Sequence, residues 1–260
     1  MASDTLNLSL VQADLVWEDK SANLERLEAM ISGIEQRREV VLLPEMFSTG
    51  FSMSPASLAE GMDGTTVQWM KAMAAKYRCI LAGSIIIEEE GNYYNRLIWM
   101  QPDGQSGHYD KRHLFAFAGE DQHYSPGSRR FIASVKGWKI CLNICYDLRF
   151  PVWARNQGGE YDVLVYVANW PAKRSLAWKA LLQARAIENQ CYVAGVNRVG
   201  TDGSGLSYKG ESSVFDPLGE LLTPQHDQPA VHTVTLSRQS LDDIRSSLPF
   251  LKDADRFMLL

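Results

Sequence analysis

The chain has 260 residues, 45% of them apolar, with a formal net charge of −5 and a pI near 5.6. That is enough for one large α/β domain over residues 1–260, which buries around three quarters of its unfolded surface, and no second domain is required. The acidic balance, with no basic stripe interleaved with aromatics, excludes a general nucleic-acid binder, and no stretch approaches the roughly 20 consecutive apolar residues of a membrane helix.

The N-terminus MASDTLNLSL has no charged-then-apolar export pattern, so a cytoplasmic protein with no membrane partner is expected. Alternation makes LNLSLVQ the first strand. From Ser21 to Glu35, Leu24, Leu27, Met30, Ile31 and Ile34 fall on one helical face. VVLL is a short buried strand closed by Pro44, with Glu45 at its exit. Thr65 to Tyr77 reads as a helix striped by Val67, Met70, Met73 and Tyr77. CILAGSIIIEE and YNRLIWMQP read as neighbouring strands joined by a turn at Glu90, Gly91 and Asn92. Trp138 to Cys145 is a further strand, and Pro151 starts a short helix. VLVYVANW and CYVAGVNRV flank a helix from Ser175 to Gln190, predicted to turn Leu176, Ala180, Ala184 and Ile187 inward. VHTVTL is the last strand and leads to a short helix that Ser237 can cap.

This order describes one layered domain, although periodicity alone does not separate a two-sheet sandwich from a doubly wound sheet. The tail over about residues 248–260, apolar at Phe250, Phe257, Leu259 and Leu260, suits either packing on a partner subunit or strapping its own domain. Cys141 and Cys145 lie along one strand with Cα atoms roughly 13 Å apart, beyond disulfide reach. Cys79 and Cys191 each open an apolar strand, and neither a C-x-x-C pair nor a zinc-type His/Cys spacing occurs. No metal or other cofactor is expected.

Three residues close their own apolar runs: Glu45 in VVLLPEMF, Lys111 in YDKRHLF and Cys145 in KICLNICYDLRFP. Each alone has an ordinary reading, as a solvated carboxylate, a surface lysine and a small buried hydrophobe. Together they supply what thiol attack on a carbonyl needs: a base, a cation for the oxyanion, and a nucleophile on rigid elements.

Their order and surroundings resemble the nitrilase superfamily of carbon–nitrogen hydrolases, whose motifs carry a catalytic Glu, Lys and Cys in this sequence. LLPEMFSTGF, YDKRHLF and CYDLRFPVWARN are similar to its three motif segments, as are VANWP, RAIENQCYVAGVNRVG and the late turn DPLGE. Glu120 falls where many members place a second active-site glutamate. The resemblance, from about Leu6 to Leu236, implies an α–β–β–α sandwich with helices on the outer faces, paired into a homodimer or a higher homo-oligomer. It also implies roles: Glu45 as base and proton carrier, Lys111 and the Tyr146 N–H as oxyanion donors, and Glu120 orienting Lys111 or water. A nearby ammonium would also favour the Cys145 thiolate.

The wording STGF, CYDLRFPVW and NWPAKRS is most similar to the family's bacterial ω-amidases, which implies hydrolysis of a small amide such as 2-oxoglutaramate or 2-oxosuccinamate, with water as co-substrate. Other amidases or N-carbamoyl hydrolases of the family are the alternative. A free carboxylate on such a substrate must be paired. Lys173 and Arg174 are candidates for that pairing, with Trp170 and Tyr146 as walls, whereas Arg149 is expected in a structural ion pair and Arg185 is expected to pair with Glu188. Two rivals are a papain-like hydrolase joining Cys145 to His226 or His232, whose C-G-x-C-W signature is absent, and a non-catalytic scaffold.

Overall fold

The computed structural model describes residues 3–259, so Met1, Ala2 and the tail's Leu260 lie outside the described residues. In chain order the strands are β1 (Thr5–Gln12), β2 (Val40–Leu42), β3 (Ile80–Glu89), β4 (Asn92–Met100), β5 (Ser106–Asp110), β6 (Phe131–Val135) and β7 (Trp138–Ile144). They continue as β8 (Val163–Ala168), β9 (Tyr192–Asn197), β10 (Val199–Thr201), β11 (Ser207–Lys209), β12 (Ser213–Phe215) and β13 (Ala230–Ser237). The helices are α1 (Lys20–Ser32), α2 (Pro55–Leu58), α3 (Thr65–Tyr77), α4 (Glu120–His123), α5 (Pro151–Ala154), α6 (Ser175–Asn189) and α7 (Arg238–Ser247).

One sheet has the spatial order β13-β1-β2-β3-β4-β5 and the other β12-β9-β8-β7-β6, with β10 and β11 forming a separate hairpin. Alternation explains the layering. Leu6, Leu8 and Leu10 of β1 and Leu97 and Trp99 of β4 share one buried cluster with Ile140, Leu142 and Ile144 of β7. The opposite parity, Val41, Leu43, Leu81 and Ile98, packs against Leu24, Leu27 and Ile31 of α1 and Val67, Met70 and Met73 of α3. On the second sheet, a Cβ at Gly195 of β9 would come within 2.5–2.9 Å of Leu182 and Trp178, so α6 lies directly on that sheet's outer face. The result is an α–β–β–α sandwich in which each fully buried Leu contributes about 1.5–3 kcal/mol.

Helix α1 stops at Ser32, short of the expected Glu35: Gly33 N still donates to the Ala29 carbonyl (3.2 Å), but Ile34 N donates to the Ile31 carbonyl (3.2 Å), three residues back, and the helical ladder ends there. Ile34 is nevertheless buried from just beyond the helix. The predicted inward face of α6 is corrected. Trp178, Leu182, Arg185, Ala186 and Asn189 are buried, whereas Leu176 is 81% and Ile187 50% exposed, Ala180 is exposed and Ala184 half-buried. Two stripes satisfy the helical period there. The larger Trp178 decides between them, together with the bond from Arg185 Nη2 to the Leu148 carbonyl (2.7 Å). The expected Arg185–Glu188 pair forms at 2.9 Å.

Ser237 caps α7 as expected, its hydroxyl accepting from Ser240 N at 3.2 Å. The tail begins as a strap, since Gln190 Nε2 donates to the Leu248 carbonyl (2.6 Å) and Leu251 N to Gln190 Oε1 (3.3 Å). Strands β5, β6, β11 and β12 were not anticipated; none exceeds five residues, too short for a periodic signal.

What this arrangement does for chemistry lies at the strand exits. β1 runs parallel to β2, and β7 runs parallel to β8 and β8 to β9. Their carboxyl ends therefore open toward one edge of the space between the sheets, where ligands characteristically bind in open parallel sheets.

Candidate active site

Glu45 follows the C-terminal end of β2. Leu43 N donates to the Ala82 carbonyl (2.7 Å), Met46 N to Ser84 Oγ (2.8 Å) and Phe47 N to the Ser84 carbonyl (3.1 Å), tying the exit to β3. Met46 takes φ 42°, a left-handed turn that leaves Glu45 at the bend, fully buried.

Lys111 follows β5, and its N–H donates to the Asn95 carbonyl (3.0 Å), one residue past the β4–β5 ladder. Its Nζ donates to Glu45 Oε1 (2.8 Å) and to Glu120 Oε1 (3.1 Å) and Oε2 (2.9 Å). Glu120 opens α4 and also accepts from Phe115 N at 2.6 Å. Asn95 of β4 donates from Nδ2 to Glu45 Oε1 (2.8 Å) and Glu120 Oε1 (3.2 Å). On its other oxygen Glu45 accepts from Asn169 N (2.8 Å), just beyond β8.

Cys145 ends the β7 run at φ 44° and starts a short 3-10 turn over Cys145–Arg149. The expected strand therefore stops one residue earlier, at Ile144. For a residue with a Cβ this left-handed backbone is strained, and it persists only where neighbours fix it. Asp147 does so: fully buried, it accepts from Ile144 N (3.0 Å), Tyr109 Oη (2.8 Å) and His113 N (3.0 Å), and lies 2.8 Å from His113 Nδ1. The Cys145 thiol points to the Asn169 carbonyl, 3.9 Å away. Tyr146, next in the turn, presents one of the opening N–H groups that a helical turn cannot satisfy internally.

The expected pull of Lys111 toward a Cys145 thiolate is present but outweighed. Burial pushes the Cys145 thiol well above its usual range, and the Glu45 carboxylate adds to this against the opposing pull of Lys111. The resting group is a thiol, and attack requires a base at that moment. Burial works against the Lys111 ammonium, but Glu120 and Glu45 outweigh it and the lysine stays charged. Burial, reinforced by the Glu45 charge, raises the Glu120 carboxyl despite Lys111.

Cys145, Glu45 and Lys111 line a cavity of about 160 Å³ together with Tyr146 and Trp170, with Phe51 and Phe115 as apolar walls, while Glu120 contacts Lys111 from outside the lining. The cavity's size suits a short ligand, well below the roughly 300–1,000 Å³ of drug-sized sites. Trp170 is held by its Nε1 bond to the Arg174 carbonyl (2.8 Å), and Tyr146 stacks edge-on to Phe115 and Phe150. Arg174 lines the cavity with its guanidinium over the Phe115 ring, whereas Lys173 is exposed and outside the lining. Arg149 also lines the cavity, over the Trp170 ring at 5.0 Å, instead of taking the structural ion pair expected of it. Asp202 and Tyr208 also line the cavity, the tyrosine hydroxyl donating to Asp202 Oδ2 (2.7 Å).

His226 and His232 stack on one another at 5.4 Å and neither lines the cavity, so the Cys/His pairing is not formed. Among the described residues no group of three or more His, Cys, Asp or Glu is set to hold a metal ion, and no helix is long and apolar enough to cross a membrane. Asn95, Asn169 and Asp147 escaped the sequence reading. Their signal was present: Asn95 lies within and Asn169 directly after a largely apolar strand, in YNRLIWM and VYVANW, and Asp147 sits in the turn after a third, in ICYD.

A two-sheet sandwich with a cysteine at one strand exit facing a carboxylate and an ammonium from others defines a thiol hydrolase of amide-type carbon–nitrogen bonds. The family model described as carbon-nitrogen hydrolase matches residues 7–246, and the chain belongs to that family, the nitrilase superfamily. It is similar to the protein named Omega-amidase YafV of Escherichia coli K12, 46% identical over 255 residues that cover 98% of each chain. It also resembles the 2-oxoglutaramate amidase of Bacillus subtilis 168, 32% identical over 95% of this chain and 96% of that one. Among solved structures, a CN-hydrolase superfamily protein of Xanthomonas campestris with an arsenic adduct in its active site superposes with a TM-score of 0.97. It is 42% identical and covers 99% of this chain and 100% of that one.

Proposed function

We propose that the chain is an ω-amidase that hydrolyses the terminal amide of a short dicarboxylic monoamide, 2-oxoglutaramate or 2-oxosuccinamate, to the acid and ammonia. The observation that carries this reading is the convergence, in one small cavity, of the Cys145 thiol, the Glu45–Lys111 pair backed by Glu120, and the Arg174 guanidinium. The printed names of the E. coli and B. subtilis relatives support it.

In this mechanism Glu45 takes the Cys145 proton as sulfur bonds to the amide carbon. The oxyanion is held by Lys111 Nζ and the Tyr146 N–H; losing one such donor lowers the rate about 10²–10³-fold. Glu45 passes the proton to nitrogen as the C–N bond breaks and ammonia leaves a thioester. Glu45 then deprotonates water, which attacks the thioester carbon; the C–S bond breaks and the proton returns to sulfur. Glu120 holds Lys111 in place through both halves. Arg174 pairs the substrate's free carboxylate, between walls formed by Trp170 and Tyr146, and Arg149 is a second cation on the same wall.

We further propose that the whole chain works as one carbon–nitrogen hydrolase domain, in the cytoplasm, as a homodimer or higher homo-oligomer. Exposed apolar Leu176, Ile187 and Phe250 support association, and four free cysteines suit a reducing compartment.

The test is ammonia release from a panel of 2-oxoglutaramate, 2-oxosuccinamate, glutamine, asparagine, a simple nitrile and an N-carbamoyl amino acid, with mass spectrometry of the quenched reaction. Turnover of the 2-oxo amides with an acyl adduct on Cys145, abolished in Cys145→Ala, is expected. Preference for the nitrile or the N-carbamoyl compound, or an adduct on Cys79, Cys141 or Cys191, would overturn it.

A further inference from the structure

Lys111 Nζ reaches Glu45 Oε1 and Glu120 Oε1 at 2.8 and 3.1 Å, so two buried carboxylates share a single ammonium. Like charges so close drive one member of the pair to hold a proton unless other donors intervene. Asn95 is such a donor. It is fully buried and its Nδ2 reaches the same two oxygens, Glu45 Oε1 at 2.8 Å and Glu120 Oε1 at 3.2 Å. The carboxylates are thus bridged twice, by an ammonium and by a neutral amide.

The orientation of that amide is dictated by the cluster. Asn95 Oδ1 is buried without a partner, and turning it toward the carboxylates would set a carbonyl against two anions. The side chain therefore leaves one of its own atoms unsatisfied so that the other serves the glutamates. Its backbone acts on the same group, since the Asn95 carbonyl accepts from Lys111 N at 3.0 Å. The placement follows from strand parity: Asn95, Leu97 and Trp99 alternate on the face of β4 that looks between the sheets.

We propose that Asn95 is a positioning residue for the amide hydrolysis, bridging Glu45 and Glu120 so that their mutual repulsion is offset and both are held aligned on Lys111 and Cys145. The proposal rests on the reading of Glu45 as the base. It touches no reacting atom, so its loss acts on protonation and alignment and not on substrate binding.

The experiment compares Asn95→Leu, of similar shape without the donor, and Asn95→Asp with the parent enzyme in kcat and KM against pH, with Glu45→Gln alongside. For Asn95→Leu, kcat falls by up to roughly 100-fold with KM little changed. The acid limb of kcat/KM moves up, because two close carboxylates have lost a donor that favours their charged forms. Asn95→Asp behaves differently. While protonated it donates as the amide does, and once ionised it adds a third negative charge, so its activity falls off with rising pH earlier than the parent's. Circular dichroism monitors folding, and where Asn95→Leu does not fold the descending limb of Asn95→Asp decides alone. Equal losses in both variants with the pH profile unmoved, or an effect confined to KM, would overturn the proposal. An active Glu45→Gln overturns the base assignment instead, whereas an inactive one beside an unshifted Asn95→Leu removes Asn95 only.

Discussion

Replacing Asp147 by Asn removes one carboxylate oxygen and its charge from beneath the nucleophile's turn while changing almost no volume. Oδ2 accepts from Ile144 N and Tyr109 Oη, and Oδ1 faces His113 N and Nδ1, all within 2.8–3.0 Å. An amide group turned toward Ile144 would face that N–H with another donor. It would also crowd Tyr109 Oη, which already accepts from Trp153 Nε1 (2.9 Å) and Arg112 N (3.2 Å). Turned toward His113, it can donate to the ring through the other tautomer, and only the His113 N–H is stranded. That milder arrangement costs about 1–3 kcal/mol for the stranded donor. The lost charge assistance adds about 0.5–1.5 kcal/mol in each of the two surviving bonds, for about 2–6 kcal/mol in all. At about 2–4 °C per kcal/mol for a chain of this size, Tm falls by roughly 4–24 °C. Thermal unfolding followed by circular dichroism measures it, and kcat should fall with it because Ile144 N anchors the residue before Cys145. A Tm within about 2 °C of the parent and an unchanged kcat would refute the claim that Asp147 holds the strained turn.

The two glutamates should separate: Glu45→Gln is expected to be inactive at every pH, since it carries protons in both halves of the reaction, whereas Glu120→Gln should only slow turnover, and steady-state kinetics showing the reverse would exchange their roles. Arg174→Ala should raise KM for 2-oxoglutaramate and lower kcat/KM by about 10-fold to 150-fold, the equivalent of one charged hydrogen bond of about 1.5–3 kcal/mol, while Lys173→Ala leaves both unchanged. Equal losses for Arg174→Ala on an uncharged short amide would mean that it shapes the cavity without reading charge. Because burial and Glu45 raise the Cys145 thiol, its alkylation by iodoacetamide should keep accelerating between about pH 6 and 9, and a plateau below neutrality would show Lys111 winning instead. Cys79, buried and outside the cavity lining with no base beside it, serves as the internal reference by peptide mass spectrometry.

The sequence by itself determined the elements with strong period and the residues whose chemistry is scarce. LNLSLVQ, the helix over residues 65–77, and Glu45, Lys111 and Cys145 at the ends of apolar runs were legible because burial on one face writes a period of 2 or 3.6 into the chain. Where two registers met that period equally, as in α6, the chain left the choice open, and the bulk of Trp178 and the Arg185 bond to Leu148 made it. Contacts between residues far apart in sequence were decided only in the tertiary structure. Asn95 meets Glu45 across 50 positions and Asn169 meets it across 124, and no local pattern encodes such a meeting. The same holds for the cations: Lys173 and Arg174 are neighbours in the chain, yet only Arg174 lines the cavity beside Arg149, because successive residues of a tight turn point in different directions. Even the state of the nucleophile belongs to the fold, since a lysine in sequence suggests a thiolate, while burial beside Glu45 keeps Cys145 a thiol.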